Sequence, residues 1–435
     1  MAHGMIWRNW GRSQRSTPTA VLTPVDAEEV AGIVRSAHER GLRVKPIGAG
    51  HSFSAVAVAP GIQLDLASLS GLLAVDAATR EATFAAGTPL HAVGDLLAPH
   101  GLAFESMGDI DRQTIAGAVS TGTHGTGLAF GSIGATIAAA TLVTGTGEVL
   151  RVSATEHADL LPAVRLGLGA LGVLVDVTLR CVPAFTLHAV ERVEPLEEVL
   201  EAWRERAAGA DHMEWYWFHG TDRAITMTRT RGPADAPRIG PGRIRHLAER
   251  ELLANGAWGA LCGAASSVPA LAPGIARIAA TQFAGPEVRD RSDRVFVAPR
   301  RVRFREMEYG MPLDAVPSAF RAMRALVERR GWRITFPVEV RAVAADDALL
   351  STAHGRETGY LAVHRYWRED PREHFAEVER ILLDHDGRPH WGKLHTQTAA
   401  DLELRLPTLA AFRVIRDRLD PDRTFDNPYL RRTIG

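Results

Sequence analysis

Three clusters of glycine in the first 172 residues constrain the fold more than any other feature of this sequence. They are Gly48–Phe53 (GAGHSF), Ser120–Gly127 (STGTHGTG) and Gly167–Gly172 (GLGALG). Glycine adopts positive φ at little cost and lets backbone N–H groups come close to phosphate oxygens. The clusters therefore indicate a domain whose backbone approaches a large anionic ligand, and a dinucleotide is the obvious candidate.

The usual dinucleotide-binding fingerprint is absent from these clusters. In the first cluster Phe53 stands where the third glycine belongs, and no long amphipathic helix follows at once. Tight turns in a β-rich domain are the alternative interpretation. That alternative is weakened because His51 lies inside the first cluster and His124 lies inside the second.

Length and charge exclude several classes of protein. A chain of 435 residues has room for two or three domains. Lys and Arg number 50 against 51 Asp and Glu, so the net charge of −1 argues against a nucleic-acid partner. The two cysteines, Cys181 and Cys262, are too few for a disulfide framework or a cysteine-rich metal site. We therefore expect no metal and a cytoplasmic or otherwise reducing location.

One stretch of the chain is long enough to raise the question of a membrane span. Residues 252–276 contain no Asp, Glu, Lys or Arg. Their bulk is Ala, Gly and Ser, and Pro269 and Pro273 interrupt them. The start of the chain also lacks the apolar core of a secretory signal. Membrane contact is therefore not expected, and 252–276 is interpreted as a buried or partner-facing helix pair.

Local patterns predict alternating short strands and helices in the first half. Asp26 begins a helix that Gly41 ends, and residues 43–47 form a strand that runs into the first glycine cluster. After about residue 183, segments with Arg and Glu faces favour helices, and residues 314–330 form a clear amphipathic helix. This change in sequence pattern predicts a domain boundary near 183–190.

Two segments of the second half carry side chains that are suited to catalysis. Residues 333–342 alternate like a strand, which places Glu339 and Arg341 side by side on one face. The pattern alone is equally compatible with an ordinary cross-strand charge pair. If residues 391–395 are extended, Lys393 and His395 also share a face, and a lysine in an apolar site has a lowered pKa. Lysine occurs only at Lys45 and Lys393 in this arginine-rich chain.

The order of the motifs resembles a known family. The three glycine clusters and Thr114–Gly117 closely resemble the FAD-binding domain of vanillyl-alcohol-oxidase-type flavoproteins. Four later segments resemble the sugar-1,4-lactone oxidoreductases that act on L-gulono- and D-arabinono-1,4-lactone: Pro337–Arg341, Leu350–Arg356, His390–His395 and Asn427–Arg431. The resemblance runs from Trp7 to Gly435 with every motif in sequence order.

The resemblance implies an α+β fold in three parts. Residues 1–185 would form a two-subdomain FAD-binding domain of the PCMH type. Residues 186–395 would form an α+β cap, or substrate domain, with an antiparallel sheet over the flavin. Residues 396–435 would return to the FAD domain.

The resemblance also implies a flavin site. His51 matches the histidine that carries the flavin covalently through its 8α-methyl group, and neither cysteine matches a second tether. Gly108 matches a position where a small residue gates oxygen, although a turn glycine is equally compatible. The expected cofactor-binding residues are Gly48, Ala49, Gly50, His51, Ser52, Phe53, Gly108, Thr114, Gly117, Thr121, Gly122, Thr123, His124, Gly125 and Gly172.

The implied reaction is oxidation of the C2 hydroxyl of a sugar-1,4-lactone (L-gulono-, L-galactono- or D-arabinono-) by hydride transfer to FAD N5, with reoxidation by O₂ or another acceptor. The expected catalytic residues are Glu339, Arg341, Lys393, His395 and His364. Glu339, Lys393 and His395 all remain candidates for the base. The alternatives are an alditol oxidase acting on xylitol or sorbitol, from which His395 is a distinguishing feature, and a flavin carrier without turnover.

Overall fold

The glycine clusters are arranged around two sheets in the first half of the chain, which also contains two short strand pairs, Trp7–Arg8 with Arg15–Ser16 and Leu102–Ala103 with Val182–Pro183. A computed structural model describes residues 6–241, 256–282, 284–298 and 300–435. The smaller sheet is parallel, with Ile62–Asp65 between Ala20–Leu22 and Val44–Ile47. The helix Ala27–Glu39 links its outer strands and begins where the Asp26 side chain accepts a hydrogen bond from the Glu29 backbone N–H.

The second sheet of this half is antiparallel and supports the other two glycine clusters. Its five strands are, in spatial order, Val149–Ser153, Ile137–Val143, Val173–Arg180, Glu81–Ala85 and Leu72–Asp76. The helices of this half that surround it are Leu90–Leu97, Ile115–Thr121 and Leu161–Val164. Strand Val173–Arg180 starts directly after the third glycine cluster, so this cluster lies at the edge of the sheet that faces the parallel strands.

A single antiparallel sheet of eight strands dominates the next part of the chain. In spatial order its strands are Val288–Arg291, Thr186–Pro195, Arg223–Gly232, His212–Trp217, Val338–Val343, Thr358–Tyr366, Phe304–Pro312 and Arg388–Pro389. The helices that accompany it are Leu196–Glu201, Trp203–Ala208, Ser292–Phe296, Val316–Arg330 and Arg372–Asp384. The expectation that helices dominate after residue 183 is therefore wrong, because the segments with Arg and Glu faces include strands of this sheet.

Tightly packed aromatic side chains hold the large sheet against its helices. The ring centroids of Trp203 and Trp215 are 6.2 Å apart, and those of Trp215 and Phe320 are 5.0 Å apart, both edge to face. All three side chains are buried. This packing leaves the opposite face of the sheet, which carries Glu339 and Arg341, free to form a site.

The last forty residues return to the first half of the chain. The helices Ala399–Glu403, Leu409–Leu419 and Pro428–Ile434 carry this segment. The Val44 backbone N–H donates to the carbonyl of Thr424 at 2.8 Å, and the Asn427 amide donates to the carbonyl of Val58 at 3.0 Å. The α+β class is confirmed, and we retain the boundaries 1–185, 186–395 and 396–435 as a proposal.

Several elements differ from their sequence-based predictions. The strand predicted over 333–342 is regular only from Val338 to Val343, because the residues before it form an irregular approach to the sheet. Residues 391–395 are not extended: the Lys393 N–H donates to the carbonyl of His390 at 2.9 Å and closes a turn. The shared face predicted for Lys393 and His395 is therefore wrong.

The stretch without charged residues forms two short helices where it is described. These are Trp258–Ser267 and Ala272–Gln282, and positions 252–255 of the stretch lie outside the described residues. Within the described part of the chain, no helix combines the length and the apolar character needed to cross a bilayer.

Candidate active site

The first and third glycine clusters line one long cleft. Its walls come from residues 45–52, Val56, Ala57, Leu66 and parts of 113–121 and 168–174, and it encloses about 710 Å³ including its open mouth. A Cβ atom added to Gly48 would lie 2.4 Å from Oγ1 of Thr114, so any larger residue would displace the side chain that caps the helix Ile115–Thr121. Gly50 has a φ of +70°, which also favours glycine. The cleft is therefore lined largely by backbone and small side chains, as an extended dinucleotide requires.

The floor of the cleft contains a buried lysine that sequence reasoning did not assign to the site. The Lys45 ammonium donates to the carbonyls of Leu168 and Gly169, both at 3.2 Å. Burial lowers the pKa of Lys45 to about 7, against the attraction of Asp426 and Asp420. Lys45 thus fastens the third glycine cluster to the strand that precedes the first one.

His51 lies at one end of this cleft in a neutral state. Its Nδ1 is buried without a hydrogen-bond partner among the described residues, and its ring stacks on Trp10 with centroids 5.6 Å apart. Burial, reinforced by Lys393 and Arg112, lowers the pKa of His51 to about 4. A neutral imidazole with an unused nitrogen is suited to act as a nucleophile.

The predicted cofactor-binding residues separate into two groups in space. Nine of them line the cleft: Gly48, Ala49, Gly50, His51, Ser52, Thr114, Gly117, Thr121 and Gly172. The other six are absent from its lining: Phe53, Gly108, Gly122, Thr123, His124 and Gly125. His124 instead reaches toward the large sheet, where its ring stacks on Tyr360 with centroids 3.9 Å apart and its Nε2 is 3.4 Å from Glu308.

The turn at residues 391–393 attaches the large sheet to the first glycine cluster. The Phe53 backbone N–H donates to the carbonyl of Gly392 at 2.6 Å, and the Lys393 ammonium lies 5.4 Å from the centre of the Phe53 ring. Lys393 thereby enters the site beside His51. His395 lies elsewhere: its Nε2 is 2.9 Å from the hydroxyl of Tyr429, and its ring also packs against Trp391.

Arg341 is the centre of a buried charge cluster. Its guanidinium lies 2.5 Å from Glu339, 2.9 Å from Glu214 and 3.3 Å from Asp109. Arg229 also binds Glu214 at 2.8 Å, and Arg300 also binds Asp109 at 2.9 Å. Glu339 is therefore the carboxylate of the three with the least compensating positive charge.

This imbalance decides which carboxyl group of the cluster can exchange a proton near neutral pH. Burial raises the pKa of Glu339 to about 7, although Arg341 opposes the shift. Burial also acts on Glu214, but Arg229 and Arg341 outweigh it and lower the pKa of Glu214 to about 2. Tyr216 donates a hydrogen bond to Oε1 of Glu339 at 2.8 Å and so fixes the orientation of that carboxyl group.

A second group, around Lys393, adjoins the first. The Lys393 ammonium lies 2.5 Å from Glu306 and 3.8 Å from Glu308. Burial by itself would lower the pKa of Lys393, but these two carboxylates outweigh burial and raise it. The lowered pKa expected from the sequence is therefore wrong, and Lys393 serves the site as a fixed positive charge.

His364 joins the two groups. One ligand atom each from Glu306, Glu339 and His364 lies within 4.8 Å of the other two. The His364 Nδ1 is 2.9 Å from the carbonyl of Pro337, and burial lowers the pKa of the ring. If Nδ1 carries the proton in that bond, Nε2 presents a lone pair toward the carboxylates. Four of the five predicted catalytic residues, all except His395, are thus brought together.

Two triads in this region have spacings that a metal ion could use. Besides Glu306, Glu339 and His364, the group His124, Glu308 and His390 lies within 4.8 Å. Lys393 already supplies a cation to both triads through Glu306 and Glu308. One carboxylate of each triad is therefore paired with the Lys393 ammonium group.

Sequence reasoning missed several residues of the site. They are Glu306, Glu308, Glu214, Asp109, Tyr216 and Arg300. A signal was present for the first two, because glutamates two positions apart in the apolar strand Phe304–Pro312 project from one face. Asp109 follows Gly108 directly, but nothing in its sequence neighbourhood predicts its pairing with Arg341.

Comparison with known proteins identifies the family. The profile described as D-arabinono-1,4-lactone oxidase matches residues 177–433, and the profile described as FAD binding domain matches residues 18–153. The chain belongs to the D-arabinono-1,4-lactone oxidase family. It is therefore an FAD-dependent sugar-lactone oxidoreductase, and the glycine-lined cleft with the unpartnered His51 nitrogen fits its cofactor.

Relatives across the family match over nearly the whole chain. The L-gulono-1,4-lactone dehydrogenase of Mycobacterium tuberculosis is 42% identical over 99% of both chains. The L-gulonolactone oxidase of Scyliorhinus torazame is 31% identical, over 99% of this chain and 98% of the relative. The crystal structure of a cholesterol oxidase from Brevibacterium sterolicum matches with a TM-score of 0.83 over 99% of this chain and 97% of that one. Its identity of 18% supports the shared fold alone.

Proposed function

We propose that this enzyme oxidises the C2 hydroxyl of a sugar-1,4-lactone to the 2-keto-lactone, with L-gulono-, L-galactono- or D-arabinono-1,4-lactone as the substrate. The observation that carries the proposal is the buried Glu339–Arg341 pair beside Lys393, at the end of the cleft where His51 lies. Bound FAD would supply the acceptor for the hydride that leaves C2. The names of the relatives support a lactone substrate.

Glu339 is the proposed base for the 2-hydroxyl proton. Its pKa of about 7 matches a proton acceptor working near neutral pH. Lys393 is a poor candidate because its pKa is raised and its ammonium is paired with Glu306. His395 is a poor candidate because its Nε2 already forms a hydrogen bond with the hydroxyl of Tyr429.

Arg341 and Lys393 are the proposed electrostatic partners of this base. The Arg341 guanidinium, 2.5 Å from Glu339, would donate to the substrate oxygen as that oxygen gains negative charge. Lys393 would add a second positive charge at the flavin end of the site. His364 would orient the sugar by accepting a hydrogen bond at Nε2.

A covalent link between His51 and the flavin is a further part of the proposal. The neutral ring and its unpartnered Nδ1 support it. In the wild-type protein we expect yellow colour to remain with the pellet after acid precipitation. In His51→Ala the colour should move to the supernatant, because the only proposed tether is gone. A wild-type pellet without colour would contradict the covalent link and leave FAD binding itself intact.

The electron acceptor is proposed to be O₂, which yields hydrogen peroxide, or another acceptor. Relatives carry both names, since one is called a dehydrogenase and another an oxidase. A Cβ at Gly108 would lie 3.2 Å from the carbonyl of His124, so alanine fits only if this backbone shifts slightly.

We expect Gly108→Ala to slow reoxidation by O₂ and to leave reduction by lactone nearly unchanged, because the family resemblance implies that a small residue at this position leaves O₂ a path to the flavin ring. Stopped-flow mixing of the reduced enzyme with oxygenated buffer measures the effect. Equal reoxidation rates in both proteins would contradict a gating role for Gly108.

The proposed substrate class is tested by a panel under anaerobic conditions. L-gulono-1,4-lactone or D-arabinono-1,4-lactone should bleach the flavin absorbance, whereas xylitol and sorbitol should not. Oxygen consumption with the same panel identifies competence for O₂. Bleaching by the polyols alone would assign the enzyme as an alditol oxidase instead.

A cytoplasmic location is also proposed. Cys181 and Cys262 are both buried free thiols, which is typical of a reducing compartment. Cell fractionation followed by detection of the protein tests this location.

A further inference from the structure

The charge cluster contains two cations that the proposed reaction does not use: Arg229, which is buried against Glu214, and Arg300. Arg300 lies in the connection between the helix Ser292–Phe296 and the strand Phe304–Pro312. Its side chain is 37% exposed, whereas the side chains of Arg341 and Glu339 are each 9% exposed. Arg300 therefore borders the side of the cluster that is open to solvent, where a substrate has to enter.

Asp109 holds Arg300 beside Arg341. The two oxygens of the Asp109 carboxylate have different partners, since Oδ1 lies 3.3 Å from Arg341 and Oδ2 accepts from Nε of Arg300 at 3.0 Å. Burial would raise the pKa of Asp109, but Arg341 and Arg300 outweigh it and hold the pKa well below its usual range. Asp109 thus stays ionised, and the two guanidinium groups share one anchor.

Other contacts restrict where the Arg300 side chain can go. The backbone N–H of Ala298 donates to the carbonyl of Asp109 at 3.0 Å, which fixes the segment that carries Arg300. An Nη2 of Arg300 also lies 3.4 Å from the hydroxyl of Tyr216, the same hydroxyl that donates to Glu339. The guanidinium is therefore positioned before substrate arrives, and it neighbours the proposed base.

We propose that Arg300 is a specificity-determining residue that binds the C1 carbonyl oxygen of the lactone. This inference rests on the proposed oxidation at C2, because C1 adjoins C2 in the ring. When Glu339 and Arg341 bind the 2-hydroxyl, the carbonyl oxygen lies on C1, the adjacent ring atom. Arg300 is held beside Arg341 because both pair with Asp109, so its guanidinium is within reach of that oxygen. A guanidinium only donates hydrogen bonds and a carbonyl oxygen only accepts them, so the two are complementary.

The same chemistry disfavours rings without the carbonyl. A cyclic ether with CH₂ at C1 offers Arg300 no hydrogen-bond acceptor at that position. Binding such a ring leaves the partly desolvated guanidinium without a partner, which makes the binding free energy less favourable. Sites built to pair with a polar group reject analogues that lack that group. Arg300 therefore favours a lactone over the matching 1,4-anhydroalditol.

The variant Arg300→Gln tests this assignment in the holoenzyme. We expect kcat/KM for L-gulono-1,4-lactone, measured by the rate of anaerobic flavin reduction, to fall roughly 10- to 100-fold, as for a lost hydrogen bond to a charged group. The inhibition constant of the matching 1,4-anhydroalditol should change little, because that ring has no C1 carbonyl to lose. Arg300→Lys keeps the positive charge but lacks the planar guanidinium group. Its kcat/KM for the lactone should therefore lie between the values for wild type and Arg300→Gln.

The control is Arg204→Gln, since Arg204 lies on the surface of the helix Trp203–Ala208 and pairs with Asp314 and Glu357. Arg204→Gln should leave both kcat/KM for the lactone and the inhibition constant of the anhydroalditol unchanged. If Arg300→Gln lowers kcat/KM for the lactone and weakens binding of the anhydroalditol by the same factor, Arg300 has only a structural role and the inference is overturned. No effect on either ligand would also overturn it. A wild-type enzyme that the lactone fails to reduce would instead refute the proposed function itself.

Discussion

Replacing Glu339 with glutamine is expected to lower the rate of flavin reduction by lactone roughly 10²- to 10⁴-fold, the range for loss of a general base. Glutamine has nearly the same shape, can still accept the hydrogen bond from Tyr216, and leaves Arg341 paired with Glu214 and Asp109. Its amide cannot take up the hydroxyl proton. Anaerobic stopped-flow reduction measures the rate, and flavin content per protein confirms that the cofactor site is intact.

The pH dependence of the same rate provides a second readout. Glu339 accepts a proton only when it is ionised, and its pKa is about 7. The wild-type rate constant should therefore rise with pH, pass through half its maximum near pH 7 and level off at higher pH, and Glu339→Gln should lack this rising limb. Glu357→Gln, on an exposed carboxylate that pairs with Arg204, is the matched control and should behave as wild type. A full rate with the rising limb retained in Glu339→Gln would show that another group is the base.

Replacing Lys393 with methionine is expected to destabilise the protein by about 3–5 kcal/mol, the range for removal of one partner from a buried ion pair. The Lys393 side chain is 19% exposed, and it is the cation between Glu306 and Glu308. Methionine fills a similar volume but leaves two buried carboxylates close together without their charge partner. Urea unfolding of the holoenzyme measures the loss of free energy.

Lys393→Arg separates the charge from the shape of this side chain. Arginine retains the positive charge and should recover most of the stability, although its planar group does not reproduce the position of the ammonium. Flavin reduction should therefore remain slower than in wild type. Equal stability of wild type and Lys393→Met would contradict the view that Lys393 neutralises this pair of glutamates.

Nine of the fifteen predicted cofactor-binding residues line one cleft, and part of the reason is local backbone geometry. Gly50 has positive φ, a local backbone requirement that selects glycine, whereas the close approach of Gly48 to Thr114 joins segments that are distant in the sequence. Strand alternation likewise placed Glu339 and Arg341 on one face, where the structure has them 2.5 Å apart.

Alternation in Phe304–Pro312 carried a signal for Glu306 and Glu308, but the rest of the site could not be predicted because it depends on pairing between distant segments. Asp109 meets Arg341 and Arg300 only after the large sheet folds over the first half of the chain. The turn at Lys393 depends on the backbone of Phe53, which is far away in the sequence, and it separates Lys393 from His395. An extended segment was expected there because alternation over so few residues does not distinguish a strand from a turn.

The site formed by Glu339, Arg341 and Lys393 is proposed to break the C2–H bond of a lactone. The most direct measurement compares anaerobic flavin bleaching by L-gulono-1,4-lactone and by the same lactone carrying deuterium at C2. We predict that deuterium slows the bleaching severalfold, because hydride loss from C2 is then part of the measured step. Bleaching at the same rate with both lactones at every concentration, or no bleaching by either, would contradict it.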